Sequence, residues 1–360
     1  MIRIIAEAGV NHNGDEALAV ALIDAAYQAG VDVVKFQTFK AANLVTRQAK
    51  QAAYQTANTG KEESQFAMLS RLELSFDAHL RLIAHCDSLG IEFLSTAFDT
   101  ESLDFLVNRL KLQTLKIPSG ELTNAPFVLA HARTGCELIV STGMATLAEV
   151  EAALGVIAFG LTAPQDAQPG EAAFMAAYAS EAGQAALANK VTLLHCTTEY
   201  PAPMVDINLK AMDTLSHAFR LPVGYSDHSQ GITIPVAAVA RGACLIEKHF
   251  TLDRNMEGPD HKASLEPDEL AAMVKGIRDV ELALGDGIKG PRPSEIKNKE
   301  IARKSLVAAC DIKKGAIFSA ENLAIKRPGN GISPYLYWDI IGEKSDRDYF
   351  SDDTIEWSTE

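Results

Sequence analysis

Basic residues are scarce beside acidic ones: 33 Lys and Arg stand against 47 Asp and Glu, a formal net charge of −14. Nucleic acids and anionic membrane surfaces demand clustered positive charge, so neither is an expected partner. An anionic small molecule is not excluded, but local lysines and backbone amides must meet its charge. Cysteine is also sparse. Cys86, Cys136, Cys196, Cys244 and Cys310 are odd in number and far apart, with no CxxC pair. That spacing argues against a zinc knuckle or a disulfide framework and fits reduced thiols in the cytosol. Long apolar runs are missing as well. The run at 232–246 is broken by Arg241 and falls short of the ~20 residues a membrane span needs. The first ten residues are apolar but meet Asn11, His12 and Asn13 at once, without a basic leader or a cleavage site. A cytoplasmic protein without a membrane partner is expected.

What the sequence does have is alternation. Short β-rich runs at 3–7, 32–37, 92–97, 114–118, 138–141, 191–196, 222–226 and 244–249 are separated by amphipathic or alanine-rich stretches such as 17–29, 76–89, 147–159 and 232–240. Eight strands alternating with helices predict a parallel sheet closed into an α/β (β/α)8 TIM barrel over 1–285, with 267–284 as its last helix. Two connections are long. The polar, mixed stretch 38–75 is a candidate lid or wall. The Ala-, Gly-, Pro- and Gln-rich stretch 161–189 reads as an inert surface excursion with one short helix around 174–187. Residues 286–300 begin with linker composition, Asp286-Gly287-Ile288-Lys289-Gly290-Pro291. Beyond them, short alternating segments and turns predict a small β-rich domain at 301–360.

In such a barrel the chemistry lies at the carboxyl ends of the strands. Those ends carry Glu7, Lys35 with Gln37, Thr96, Lys116 with Ser119 and Glu121, Ser141, His195 with Thr198 and Tyr200, Ser226-Asp227-His228, and Lys248-His249. Taken singly, a strand-end lysine is ordinarily an ion-pair partner, and a carboxylate or serine a helix cap. Their coincidence on one rim is what points to a site. Lysines, hydroxyls and amides converging there suit a phosphate, and Gly120 and Gly143 allow close backbone approach. His228 and His249 end neighbouring strands. They either share a divalent ion, with water, a carboxylate and a substrate oxygen completing its shell, or hydrogen-bond within the rim. The other seven histidines show no ligand-like pairing, with His195 a candidate for support behind the site.

Several of these residues sit in longer motifs: Ala6-Glu7-Ala8-Gly9-Val10-Asn11-His12-Asn13-Gly14, Val34-Lys35-Phe36-Gln37-Thr38, Lys116-Ile117-Pro118-Ser119-Gly120-Glu121 and Ser141-Thr142-Gly143-Met144. They continue with His195-Cys196-Thr197-Thr198-Glu199-Tyr200-Pro201, Tyr225-Ser226-Asp227-His228, Glu247-Lys248-His249-Phe250-Thr251, Gly258-Pro259-Asp260-His261 and Lys326-Arg327-Pro328-Gly329-Asn330-Gly331. In this order they make the chain resemble the sialic acid synthase family, the N-acetylneuraminate and N,N′-diacetyllegionaminate synthases, over essentially its whole length. The resemblance implies a transferase that joins phosphoenolpyruvate to an open-chain N-acetylated amino sugar. It also implies a C-terminal antifreeze-like (SAF, β-clip) domain that caps the barrel of the other subunit in a domain-swapped homodimer.

By the same resemblance Lys35, Lys116, Ser119, Ser141, Thr198 and Ser226 hold phosphoenolpyruvate. Gln37, Tyr200 and Asp260 hold the amino sugar, and Arg327 reaches its N-acetyl group. His228 and His249 bind Mn²⁺, or Mg²⁺ or Co²⁺ in its stead. For the chemistry itself, Glu7, with Glu121 as a second candidate, is expected to position and deprotonate the water that traps C2 of phosphoenolpyruvate. Thr198 departs from the pattern, since some relatives carry Asn there. N-acetylmannosamine, giving N-acetylneuraminate, is the expected acceptor. The alternative is 2,4-diacetamido-2,4,6-trideoxymannose, giving N,N′-diacetyllegionaminate. A phosphorylated acceptor would need a second cluster of basic residues, and a metal-dependent hydrolase would need more carboxylates. A non-catalytic sugar-binding protein would not need Glu7, two lysines and two histidines on one rim.

Overall fold

A computed structural model describes residues 1–60 and 62–356. They divide into two compact units, Met1–Gly285 and Asp286–Glu360. The first is a closed parallel barrel of β1 (Arg3–Gly9), β2 (Val33–Thr38), β3 (Glu92–Ala97), β4 (Thr114–Ile117), β5 (Glu137–Ser141), β6 (Val191–His195), β7 (Val223–Asp227) and β8 (Leu245–His249). Each strand pairs with the next, and β8 returns to β1, with Glu7 opposite His249. The connecting helices start and stop where local chemistry tells them to. Asp15 accepts from the amides of Ala17 and Leu18 at the head of Glu16–Ala29. Thr146 and Glu149 form a reciprocal capping box on Leu147–Thr162.

Strand parity sets the interior. Side chains two residues apart face the same way, and the barrel's lower plug is a separate apolar cluster of Ile5, Val33, Leu94, Ile139, Leu194 and Leu245. Two residues further along those six strand paths come Glu7, Lys35, Thr96, Ser141, Cys196 and Glu247, all lining one cavity. An apolar layer thus carries a polar one, and the six outlets are aimed by the same alternation that packs the plug. Gly224 makes room in it: a Cβ there would stand 2.5 Å from Leu245 O and 2.7 Å from Leu194 Cδ2.

The excursion after β2 forms the short helices Ala41–Leu44, Ala53–Thr59 and Gln65–Leu72. Phe39, Leu44, Met68, Leu69 and Leu72 pack with Val10 and Phe98 into an apolar cluster of their own. The 161–189 excursion holds two helices rather than the one expected, Glu171–Ala179 and Glu181–Lys190. Ser180 is extended between them and accepts from Gly183 N as the cap of the second. Both helices pack on Leu147–Thr162, where the rings of Phe159 and Phe174 meet edge to face with centroids 5.3 Å apart.

The second unit opens with an irregular stretch and then the helix Pro293–Ala302, which starts inside the expected linker and runs past its end. An antiparallel pair follows, β9 (Ser305–Ala308) with β10 (Leu323–Lys326), over a core that includes Leu306, Ile312, Phe318, Ile340 and Tyr349. Isolated bridges such as Ile312 to Tyr349 complete a β-rich fold. Among the described residues no helix is long and apolar enough to cross a membrane. All five cysteines are free thiols.

Candidate active site

The carboxyl end of the barrel opens into a cavity of about 350 Å³. Its floor is a buried four-membered charge cluster. Lys35 Nζ lies 2.5 Å from Glu7 Oε2 and 3.6 Å from Glu247 Oε2. Lys116 Nζ donates to both oxygens of Glu247, at 2.8 and 3.1 Å. Ser226 Oγ donates to Glu247 Oε1 at 2.9 Å, and Lys35 Nζ to Thr96 Oγ1 at 3.1 Å.

The two carboxyls are pulled in opposite directions. Burial pushes Glu7 up to about 7 against the pull of Lys35, so it can hold or release a proton near neutrality. Burial also opposes ionisation of Glu247, but Lys116 and Lys35 together overcome it and hold that carboxyl well below the usual range. For Lys35, burial favours the neutral amine, yet Glu247 and Glu7 prevail and raise it above an ordinary lysine. Environments that drive two neighbouring carboxyls apart divide their roles, one proton carrier and one fixed anion.

Beside the floor stand the two histidines, ring centroids 5.7 Å apart. His228 Nδ1 donates to Thr197 O at 2.6 Å, which fixes its tautomer and leaves Nε2 as the basic nitrogen. His249 Nδ1 is buried with no protein partner. Burial keeps His228 neutral, down to about 4; His249 is lowered by burial and then by His228. Neutral, preoriented imidazoles are what a divalent cation takes as ligands. Among the described residues no third His, Cys, Asp or Glu completes a cluster with them. Such a cation would therefore keep coordination positions for oxygen ligands from solvent or substrate. Tyr200 lies tilted against His228, ring centroids 4.1 Å apart, and meets His249 edge-on at 5.6 Å.

The third wall suits an anion. Gly143 N donates to Ser119 Oγ at 3.0 Å, and Ser119 Oγ is 3.2 Å from Cys196 Sγ. A Cβ on Gly143 would stand 2.4 Å from Thr198 Oγ1 and 2.8 Å from Ser119 Oγ, so only glycine fits against this hydroxyl pair. A Cβ on Gly120 would meet nothing in the protein. Thr198 Oγ1 is buried without a protein partner. Gln37 Nε2 donates to Glu7 Oε1 at 3.3 Å, and burial raises Asp260 to about 6. Glu121 stands at the cavity edge, its Oε2 accepting from Asn124.

Of the candidates named from the sequence, Glu7, Lys35, Gln37, Lys116, Ser119, Glu121, Ser141, Thr198, Tyr200, Ser226, His228, His249 and Asp260 all line this cavity. Arg327 belongs to the second unit, where its Nε donates to Ala302 O at 3.0 Å. Three strand-end residues fall on the other face of their strands. Lys248 and Asp227 pair with each other at 2.6 Å, fully buried outside the barrel lumen. His195 Nε2 bonds to Ile207 O at 2.8 Å and does not line the cavity. The residue missed was Glu247. Its parity with His249 on β8 was the available signal, since positions 247 and 249 must share a face.

A closed barrel with ionisable groups gathered at its carboxyl rim defines a (β/α)8 enzyme, and the polar floor defines one built for an anionic substrate. The chain belongs to the NeuB family, whose model matches residues 22–289, and the SAF domain matches 303–359; it is a phosphoenolpyruvate-dependent condensing enzyme. It is 52% identical to an N,N′-diacetyllegionaminic acid synthase of Campylobacter jejuni subsp. jejuni, covering 98% of both chains. It is 45% identical to an N,N′-diacetyllegionaminic acid synthase of Legionella pneumophila subsp. pneumophila, covering 98% of this chain and 93% of that one. Among solved structures, the N-acetylneuraminic acid synthetase of Leptospira borgpetersenii in complex with citrate superposes with a TM-score of 0.65 at 32% identity. That match covers 82% of this chain and 90% of the other.

Proposed function

We propose that this enzyme condenses phosphoenolpyruvate with 2,4-diacetamido-2,4,6-trideoxymannose, giving N,N′-diacetyllegionaminate and phosphate. The 52% identity to a diacetyllegionaminic acid synthase over nearly the whole of both chains carries the choice of acceptor. It reverses the order expected from the motifs, which suit both acceptors and put N-acetylmannosamine first. A phosphorylated acceptor is disfavoured by the cavity itself: among the described residues, those lining it from 39 to 72 are Phe39, Leu44, Val45, Gln55, Gln65, Met68, Leu69 and Leu72, with no cation among them.

In this reading Lys35, Lys116, Ser119, Ser141, Thr198 and Ser226 hold phosphoenolpyruvate, with Glu247 holding the two ammonium groups in register. His228 and His249 would hold a divalent cation such as Mn²⁺. When bound, such an ion supplies Lewis-acid polarisation of the acceptor aldehyde. Gln37, Tyr200 and Asp260 orient the open-chain sugar so that its carbonyl faces C3 of phosphoenolpyruvate. Attack turns the aldehyde oxygen into an alkoxide and leaves positive charge at C2. Glu7 takes the proton from the water that traps C2 and the alkoxide takes up an equivalent proton, with Glu121 a second candidate base at the cavity edge. The tetrahedral product then expels phosphate, whose growing charge the two lysines stabilise.

The test is phosphate release with Mn²⁺ and either acceptor, with and without a chelator, and product mass. Release much faster with the diacetamido sugar, and lost in chelator, is the expected result. Faster release with N-acetylmannosamine overturns the acceptor, and undiminished release in chelator overturns the metal.

Dimerisation belongs to the same proposal: the SAF domain of one chain caps the barrel of another and brings Arg327 to the acceptor's N-acetyl group. Glu7→Gln should cost about 10²–10⁴-fold in rate. Mixing inactive Glu7→Gln chains with Arg327→Ala chains should restore roughly a quarter of the sites if subunits exchange at random in a two-fold dimer. Mixed dimers without recovered activity would rule the swap out.

A further inference from the structure

The cavity has two chemically distinct ends. The floor is charged and buried, built from Glu7, Lys35, Lys116 and Glu247. The far wall comes from the excursion after β2, and its rim is half-buried: Leu44, Val45 and Leu69 offer apolar surface, Gln55 and Gln65 neutral amides. This wall is a built element. It rests on the separate apolar cluster around Met68 and Leu72, both buried. Asn58 Nδ2 donates to Pro259 O at 2.7 Å and to Tyr200 O at 3.5 Å. The helix Ala53–Thr59 is thereby clasped to the loops after β6 and β8, one turn from Gln55 on the same helix. Gln55 Oε1 accepts from Ala52 N at 2.9 Å, which fixes the side chain and leaves its NH₂ as a donor. Among the described residues nothing hydrogen-bonds the Gln65 side chain, which offers both a donor and an acceptor.

The reaction fixes how an acceptor must lie. Its aldehyde carbon meets phosphoenolpyruvate at the charged floor, so the opposite end of the chain points to the far wall. We propose that this wall is the subsite that reads the distal end of the acceptor as a 4-acetamido-6-deoxy sugar. Val45, Leu44 and Leu69 take the C6 methyl, and the amides of Gln55 and Gln65 pair with the C4 acetamido group. The inference rests on the acceptor assignment above and adds the residues that make it. An apolar wall rewards a methyl and leaves a C6 hydroxyl without a partner. An amide pair satisfies both the N–H and the C=O of an acetamido group, where a hydroxyl would leave one side unmade. Single contacts of this size discriminate by about 10–200-fold.

The experiment is the ratio of kcat/KM for 2,4-diacetamido-2,4,6-trideoxymannose to that for N-acetylmannosamine in the full-length enzyme, Val45→Thr and Gln65→Leu. Both positions are half-buried, so both variants are expected to fold. The ratio should fall by about 10-fold in each. The change should appear in the acceptor KM, while the KM for phosphoenolpyruvate stays at the wild-type value. An unchanged ratio in both variants, with the wild type still preferring the diacetamido sugar, overturns this subsite and leaves the acceptor assignment intact. A wild-type preference for N-acetylmannosamine instead overturns the assignment itself.

Discussion

β8 carries two buried lysine–carboxylate systems on its two faces, and they differ in how completely they are closed. On the outer face, Lys248 donates to Asp227 Oδ2 at 2.6 Å and to Ser229 O. Asp227 also accepts from the amide and hydroxyl of Ser229, at 3.0 and 3.1 Å. Every strong partner is local, and both side chains are wholly shielded from solvent. On the inner face, Glu247 draws in Lys116, Lys35 and Ser226, and the whole group lines a cavity. The residue types are nearly the same. The outer system ties β7 to β8; the inner one holds charge where a ligand can meet it. A buried ion pair is therefore not functional by composition. It becomes so when strand parity turns it toward open space.

Paired substitutions break that comparison if it is wrong. Lys248→Met removes one partner of a closed buried pair and leaves Asp227 uncompensated, so it should cost about 3–5 kcal/mol of stability. The fraction that remains folded should turn over normally. Lys116→Met should instead leave most of the stability in place, because Lys35 and Ser226 still meet Glu247, while kcat falls by about 10²–10³-fold. Chemical denaturation and steady-state kinetics on both variants give the answer. A Lys248→Met enzyme that is stable but inactive, or a Lys116→Met enzyme that is unfolded, would mean that the two faces do not divide as argued.

Much of this was legible in the sequence, because a barrel's period and its functional end are both local properties. Glu7, Lys35 and His249 announced themselves as ionisable residues ending apolar strands. Lys248 and Asp227 looked the same and were not: a strand end read without its parity admits both faces. Counting back two residues from each strand-end polar group to the plug of Ile5, Val33 and Leu245 would have separated them and found Glu247. The far wall was legible as a candidate lid or wall, but not its attachment. That includes Asn58 meeting Pro259, a contact across about 200 positions that no local pattern encodes. The break at Ser180 was missed for a simpler reason, since an alanine-rich run hides a single capping serine.

The smallest expected effect sharpens the comparison from the side of cost. Lys248 and Asp227 neutralise each other, whereas burial acts on Asp260 without a countering charge and raises it from 3.8 to about 6. A raised carboxyl binds its proton more tightly in the folded state. The folded protein then holds more protons than the unfolded chain between those two values, and stability falls as pH rises through that window. Above pH 6 the whole cost is present, on the order of 3 kcal/mol as an upper figure; below about pH 4 it vanishes. Asp260→Asn should therefore stabilise the enzyme at pH 8, with the gain shrinking toward zero as the pH is lowered to 4, and should also lose acceptor binding. Denaturant melts of both proteins across that range are the measurement. A gain that does not depend on pH would mean that the carboxylate is not strained by burial, and a loss of stability at pH 8 would mean that it serves the fold. The expected pattern, stability gained where activity is lost, is that of a charge kept in an unfavourable place for the sake of its substrate.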